Sequence, residues 1–144
     1  MKKFSILSLL LLFSISQFLT SCELETSDNG DLDGFWHLVE VDTLATGGVE
    51  DLHQSKMFWS FQMNLLQFTG SGRYFARFSH ENGQLIVNQP QSYDSKKGHQ
   101  PITDVSVLAP WGLNDLEVQF SIEHLSGSSM TLNDGSLRLN FIKM

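Results

Sequence analysis

Histidines, carboxylates and a single thiol are the groups with which this chain could do chemistry, and their spacing says more than their number. His37, His53, His80, His99 and His124 are scattered along the sequence, with no His-x-x-x-His pair and no cysteine beside any of them. Zinc sites usually need tighter ligand spacing than that. His80-Glu81 runs straight into Asn82-Gly83, so a solvated polar turn accounts for it better than a metal ligand. Gly70-Ser71-Gly72 supplies the first two glycines of a dinucleotide loop. Phe75 stands where the third belongs, however, and strand-type alternation follows in place of a helix. There is no Gly-x-Ser-x-Gly elbow for a serine nucleophile. The carboxylates Asp31 and Asp33 lie in a polar, acidic segment that cannot hold them at catalytic geometry. The expectation is a protein that is not an enzyme, with no cofactor and no metal site.

Cys22, the one cysteine, has a different setting. Lys2 and Lys3 form a short basic start, and Phe4 to Leu19 is almost entirely Leu, Ile, Phe and Ser. That run is short for a spanning helix of roughly 20 residues and fits the apolar region of a secretory signal. It ends in Leu19-Thr20-Ser21-Cys22, which resembles the bacterial lipobox of an aliphatic residue, two small ones and cysteine. The resemblance implies a diacylglycerol thioether on Cys22, cleavage before it, and acylation of the new amino group by a palmitate-type chain. Residues 1–21 would be a signal peptide, and Cys22 would fasten a lipoprotein to the membrane. The alternatives are an ordinary signal peptide with an incidental cysteine, or a single membrane anchor.

Cleavage there leaves 123 of the 144 residues and removes two lysines, which moves the formal net charge from −7 to −9. A chain of that size fits one domain with a real core. Its acidity argues against nucleic acid or anionic headgroups as partners, because both call for a basic patch. With no second cysteine, no disulfide can form within the domain, and stability must come from packing.

Residues 22–33 read as the lipidated cysteine followed by a flexible acidic tether. Glu23 to Asp33 is ELETSDNGDLD, with too little apolar surface to offset the entropy of ordering it. An acidic run behind a lipidated cysteine resembles the signal that sends lipoproteins of the Bacteroidota to the outer face of the outer membrane. That resemblance implies a cell-envelope, outer-membrane and surface-exposed location. A solvated spacer that carries no address is the alternative.

From Gly34 to Met144 the apolar period is two. Leu116, Val118, Phe120 and Ile122 alternate with Glu117, Gln119, Ser121 and Glu123; Tyr74, Ala76 and Phe78 alternate with Arg73, Arg77 and Ser79. Met57, Trp59, Phe61, Met63 and Leu65 form a third row, whose phase flips at Leu66 and Phe68 as at a bulge or bend. Shorter strands are expected at Phe35 to Asp42, Gln84 to Asn88, Ile102 to Leu108, Ser129 to Asn133 and Leu137 to Ile142. Gly70-Ser71-Gly72, Asn82-Gly83 and Asp134-Gly135 supply turns that tolerate positive φ. Thr43 to Ser55 and Pro90 to Pro101 read as long polar loops, and Ala109 to Asp115 could hold one helical turn. Eight short antiparallel strands with little helix make an all-β domain, either a closed barrel or a sandwich.

Gly34-Phe35-Trp36 opens the first strand and resembles the Gly-x-Trp of lipocalins and related calycins. The resemblance implies an eight-stranded up-and-down barrel over residues 34–144, with Trp36 closing one end and a basic residue of the last strand lying across it. It extends to the small lipocalin-like lipoproteins common in the Bacteroidota. Arg138 is the only arginine on the last strand, but alternation places it opposite Leu137, Leu139 and Phe141, so only a bulge would turn it inward. The family's second signature is met in part, by Thr103-Asp104 without the tyrosine that should follow.

An eight-stranded barrel is just wide enough for its own side chains or one small ligand. Trp59, Phe61 and Met63, facing Tyr74, Phe78 and Phe120, are the candidate ligand-binding residues. They offer ring and thioether surface with one hydroxyl for a polar head. The leading expectation from the resemblance is a small apolar or amphipathic ligand inside the barrel. If these side chains instead fill the barrel, it is a scaffold acting through a protein partner, as an inhibitor or as an accessory subunit of a surface complex. Haem capture by His80 or His124 would need a second ligand that the sequence does not place.

Overall fold

A sheet with one apolar face can bury that face by closing on itself, and the alternating strands of this chain do so. The computed structural model describes residues 27–144; the expected signal peptide at 1–21, Cys22 and the first residues of the expected tether lie outside the described residues. The strands are β1 (Gly34–Thr43), β2 (Gly48–Asp51), β3 (Met57–Gln62), β4 (Leu65–Gly70) and β5 (Arg73–Glu81), followed by β6 (Gln84–Asp94), β7 (Gly98–Pro101), β8 (Val118–Leu125), β9 (Ser129–Asn133) and β10 (Leu137–Lys143). Eight of them pair antiparallel in the order β1-β3-β4-β5-β6-β8-β9-β10, and β10 returns to β1 to close the ring. This is the up-and-down barrel. The short strands β2 and β7 extend it as hairpin partners of the distal halves of β1 and β6.

The departures from expectation have local causes. The phase flip after Phe61 is a hairpin, not a bulge: Gln62 pairs with Leu65, and Met63 takes φ 55° in the two-residue turn between them. Met63 therefore sits on the surface, 53% exposed, and is not an inward residue. The segment expected as a strand at Ile102 to Leu108 instead leads into a 3-10 turn at Val105–Trp111. Asp104 caps that turn, its Oδ1 accepting from the Ser106 N–H at 3.0 Å, and the Ser106 bonds hold its carboxyl below the usual range. The polar stretches after Thr43 and after Pro90 each contain a hairpin.

The end of the acidic segment is also ordered. Gly30–Leu32 form a 3-10 turn, and Leu32 is wholly buried. One buried leucine and three anchoring bonds offset the cost that the segment's polarity alone implied. The Leu32 carbonyl accepts from the Trp36 indole at 2.9 Å, the Asn29 amide donates to the Met63 carbonyl, and the Lys143 ammonium donates to the Asp31 carbonyl.

Three tryptophans run through the core. Trp36 stands near one end with Trp59 beside it in register, and Trp111 enters from the other end on its 3-10 turn. Trp59 donates to the Trp111 carbonyl at 3.1 Å, and Trp111 donates to that of Thr69 at 3.0 Å. Each indole N–H thus has a partner, as burial requires.

Candidate ligand-binding site

Trp59, Phe61, Phe78 and Phe120 come together inside the barrel, at 0%, 2%, 7% and 0% exposure. They do so by touching one another. The Trp59 ring meets Phe68, Phe120 and Phe141 edge-on at centroid distances of 5.2, 5.9 and 5.0 Å, and Phe61 meets Phe78 at 5.0 Å. Tyr74, half-buried, packs edge-on against Trp111 at 5.5 Å. The surfaces expected to meet a ligand are taken up by core contacts, and Met63 stands apart from them in its hairpin turn.

Both ends of the barrel are covered. At one, Leu108, Trp111 and Leu113 are buried around the 3-10 turn. At the other, Leu32 lies under Trp36, and the Lys143 ammonium sits 4.9 Å from the centre of a Trp36 ring. The cation across the tryptophan is therefore the last strand's lysine. Arg138 stays outside, donating to Glu123 at 2.8 Å. Gly34 belongs to the same arrangement: its φ is +127°, and a side chain there would come within 3.0 Å of Lys143 Cε.

An open concave surface rich in aromatic rings lies on the outside of the wall. A cleft of about 390 Å³ runs over β5, β6 and β7. Its lining includes Arg73, Phe75 and Arg77 from β5, Gln91 and Tyr93 from β6, and His99 from β7. The cause is a bulge in β6: between the pairs Phe75–Gln91 and Arg77–Asn88, β6 carries one more residue than β5. Gln89 takes φ 50° there, and Pro90, which has no N–H to leave unpaired, is buried beside it. A bulge sharpens local twist. Strands two apart in a sheet are about 9.5 Å from each other, yet Phe75 on β5 and His99 on β7 bring their rings to 5.2 Å, and His99 meets Tyr93 at 5.4 Å. The three rings form a wall over the β6 backbone.

Comparison with known sequences decides the family. The sequence model of the lipocalin-like domain matches residues 17–144. The chain belongs to the lipocalin-like domain family. Two solved structures share this lipocalin-like fold. A lipocalin-like protein from Bacteroides uniformis is 21% identical, with a TM-score of 0.63, over 80% of this chain and 100% of that one. An uncharacterized protein from Bacteroides eggerthii is 19% identical, with a TM-score of 0.54, over 78% of this chain and 98% of that one. No curated protein matches the sequence. The lipocalin-like barrel is a fold suited to holding ligands and is typically non-catalytic.

Sequence reasoning passed over the outer cleft. One signal was available: Phe75 is a large aromatic in the outward phase of β5, between Arg73 and Arg77. The polar composition of Pro90 to Pro101 conceals the positions of Tyr93 and His99, because it carries no alternation to mark the β6–β7 hairpin.

Proposed function

We propose that this is a lipid-anchored protein of the cell envelope, fastened through Cys22 at the outer membrane and facing outward. It binds a small amphipathic molecule without transforming it. The lipobox resemblance and the acidic residues behind Cys22 support the anchor and its address. The observation that carries the binding reading is the contrast between a lumen filled by its own aromatic rings and an aromatic cleft left open on β5–β7. At about 390 Å³ the cleft falls within the roughly 300–1,000 Å³ of small-molecule sites. We therefore place the ligand on the outer wall.

Native mass spectrometry of protein from its own host should show a co-purifying small mass, and calorimetry with a fatty-acid and bile-acid panel should find binders. Phe75→Ala should abolish that binding while leaving the fold intact, because Phe75 is only partly buried on the outer face. Binding that survives Phe75→Ala and disappears on changing Trp59 would move the site into the lumen.

A contact with a protein partner is the second reading, favoured by a different face. Phe35 stacks on Phe58 at 4.8 Å, and Phe35, Ile142 and Met144 are exposed nearby on β1 and the end of the chain. A photo-crosslinker at Ile142 should capture one defined partner in the host envelope if that face is used, and none if it is not.

A further inference from the structure

We propose that the outer cleft selects an anion: a small, ring-bearing molecule whose carboxylate or phosphate is held at one end by Arg73 or Arg77 while its ring lies against Phe75, His99 and Tyr93. This rests on the outer-cleft reading and adds the charge and shape of the ligand to it.

The charge pattern carries the inference. The chain is acidic, with 16 carboxylate residues against 9 lysines and arginines. Arginines in such a protein have many acids with which to pair, and Arg138 does so with Glu123. Among the described residues, Arg73 and Arg77 are in no ion pair. Arg77 has one neutral partner, Asn64, whose Oδ1 accepts from Nη1 at 2.9 Å. That bond positions the guanidinium and leaves its charge uncompensated. No carboxylate lines the cleft. Asp94, at the end of β6, has its Oδ1 taken by the Lys96 and Lys97 backbone N–H groups at 2.7 and 2.9 Å.

The geometry supplies the second half. Arg73, Phe75 and Arg77 are alternate residues of one strand, so they share its outer face, each about 7 Å from the next and the two arginines about 14 Å apart along the strand. A cation therefore lies on each side of the Phe75 ring. Guanidinium forks match carboxylate and phosphate oxygens in a bidentate manner. The remaining wall is aromatic, with Gln91 as a neutral donor or acceptor across from Phe75. Such a site offers ring surface for an apolar body and charge for one end of it.

The test uses probes that share one ring system and differ in charge: 1-naphthoate, 1-naphthyl phosphate, neutral 1-naphthalenemethanol and cationic 1-naphthylmethylamine. They are titrated into the soluble chain from residue 22 onward, carrying Cys22→Ser. The anions should bind about tenfold or more tighter than the neutral probe, as expected for hydrogen bonds to a charged group, and the amine weakest. The ratio of the two anions tells which headgroup the cleft prefers. In the double variant Arg73→Gln, Arg77→Gln the anion advantage should vanish while the neutral probe binds as before; both arginines are exposed, so the fold should survive. Equal binding of all four probes, still abolished by Phe75→Ala, would overturn the anion inference and leave the outer-cleft reading standing. Binding of none of them would overturn both.

Discussion

Lys143 and Arg138 sit on the same strand and hold their charges in different ways. Lys143 lies over the Trp36 ring and donates to the Asp31 carbonyl at 2.8 Å, so it ties together the last strand, the first strand and the segment before it. Lys143→Met should cost about 1 kcal/mol in a denaturant titration, the scale of a partly screened cation–π contact. Trp36→Ala should cost about 3–5 kcal/mol, as large core truncations do. Arg138→Met should leave the midpoint at neutral pH close to wild type, since the pair it forms with Glu123 is on the surface. That pair still has a pH signature. Bonds from Arg138 and then Asn133 hold the Glu123 carboxyl below its usual range. Its contribution is therefore present above the unfolded-state value and lost as pH falls through the lowered folded one. Glu123→Gln should flatten the acid limb of the stability profile by that amount. Arg138 was the cation that a scan for arginine on the last strand would find. Lys143 lies one residue past the strand expected at Leu137 to Ile142, and only the register that pairs it with Trp36 reveals it.

Among the elements, long alternating rows were legible and irregular ones were not. Strands β1, β5, β8, β9 and β10 announce themselves because one face is buried and the other wet, which imposes a period of two. The row from Met57 to Phe68 hid a turn, because Met63 and Asn64 lack the glycine that usually marks one. The segment from Ile102 to Leu108 alternates like a strand, yet Asp104 begins a 3-10 turn and Gly112 ends it at φ +86°. Its role explains the exception: it fills the end of the barrel with Leu108, Trp111 and Leu113. A side chain at Gly112 would come within 2.7 Å of Leu139 Cδ2, so Gly112→Ala should lower stability by strain at positive φ as well as by overpacking, about 1–3 kcal/mol on the scale of core insertions. Trp111→Ala should cost about 3–5 kcal/mol and open a space beside Trp59. A small apolar probe such as benzene should then raise the melting temperature of that variant and leave the wild type unchanged.

At the scale of the molecule, a filled barrel presents its outer wall and its loops to whatever it meets. The family and the barrel were readable from Gly-x-Trp, the strand rhythm and the turn pairs. The location of the open surface was not. Whether a row of aromatic side chains lines a cavity or fills it depends on how rings from five strands interlock, and no single strand records that. The proposed anchor is tested separately: Cys22→Ser should abolish incorporation of an alkynyl fatty acid and leave residues 1–21 uncleaved, since under that proposal stable attachment depends on acyl chains added at Cys22. Equal labelling of both forms would remove the lipobox assignment.

The central claim is that ligand meets the outer wall and not the lumen, and amide NMR during titration with 1-naphthoate tests it most directly. The account predicts shifts at the backbone amides of Arg73, Phe75, Arg77, Gln91, Tyr93 and His99, with the indole N–H signals of Trp36 and Trp59 unmoved. A moving Trp59 indole signal above a silent cleft would contradict it.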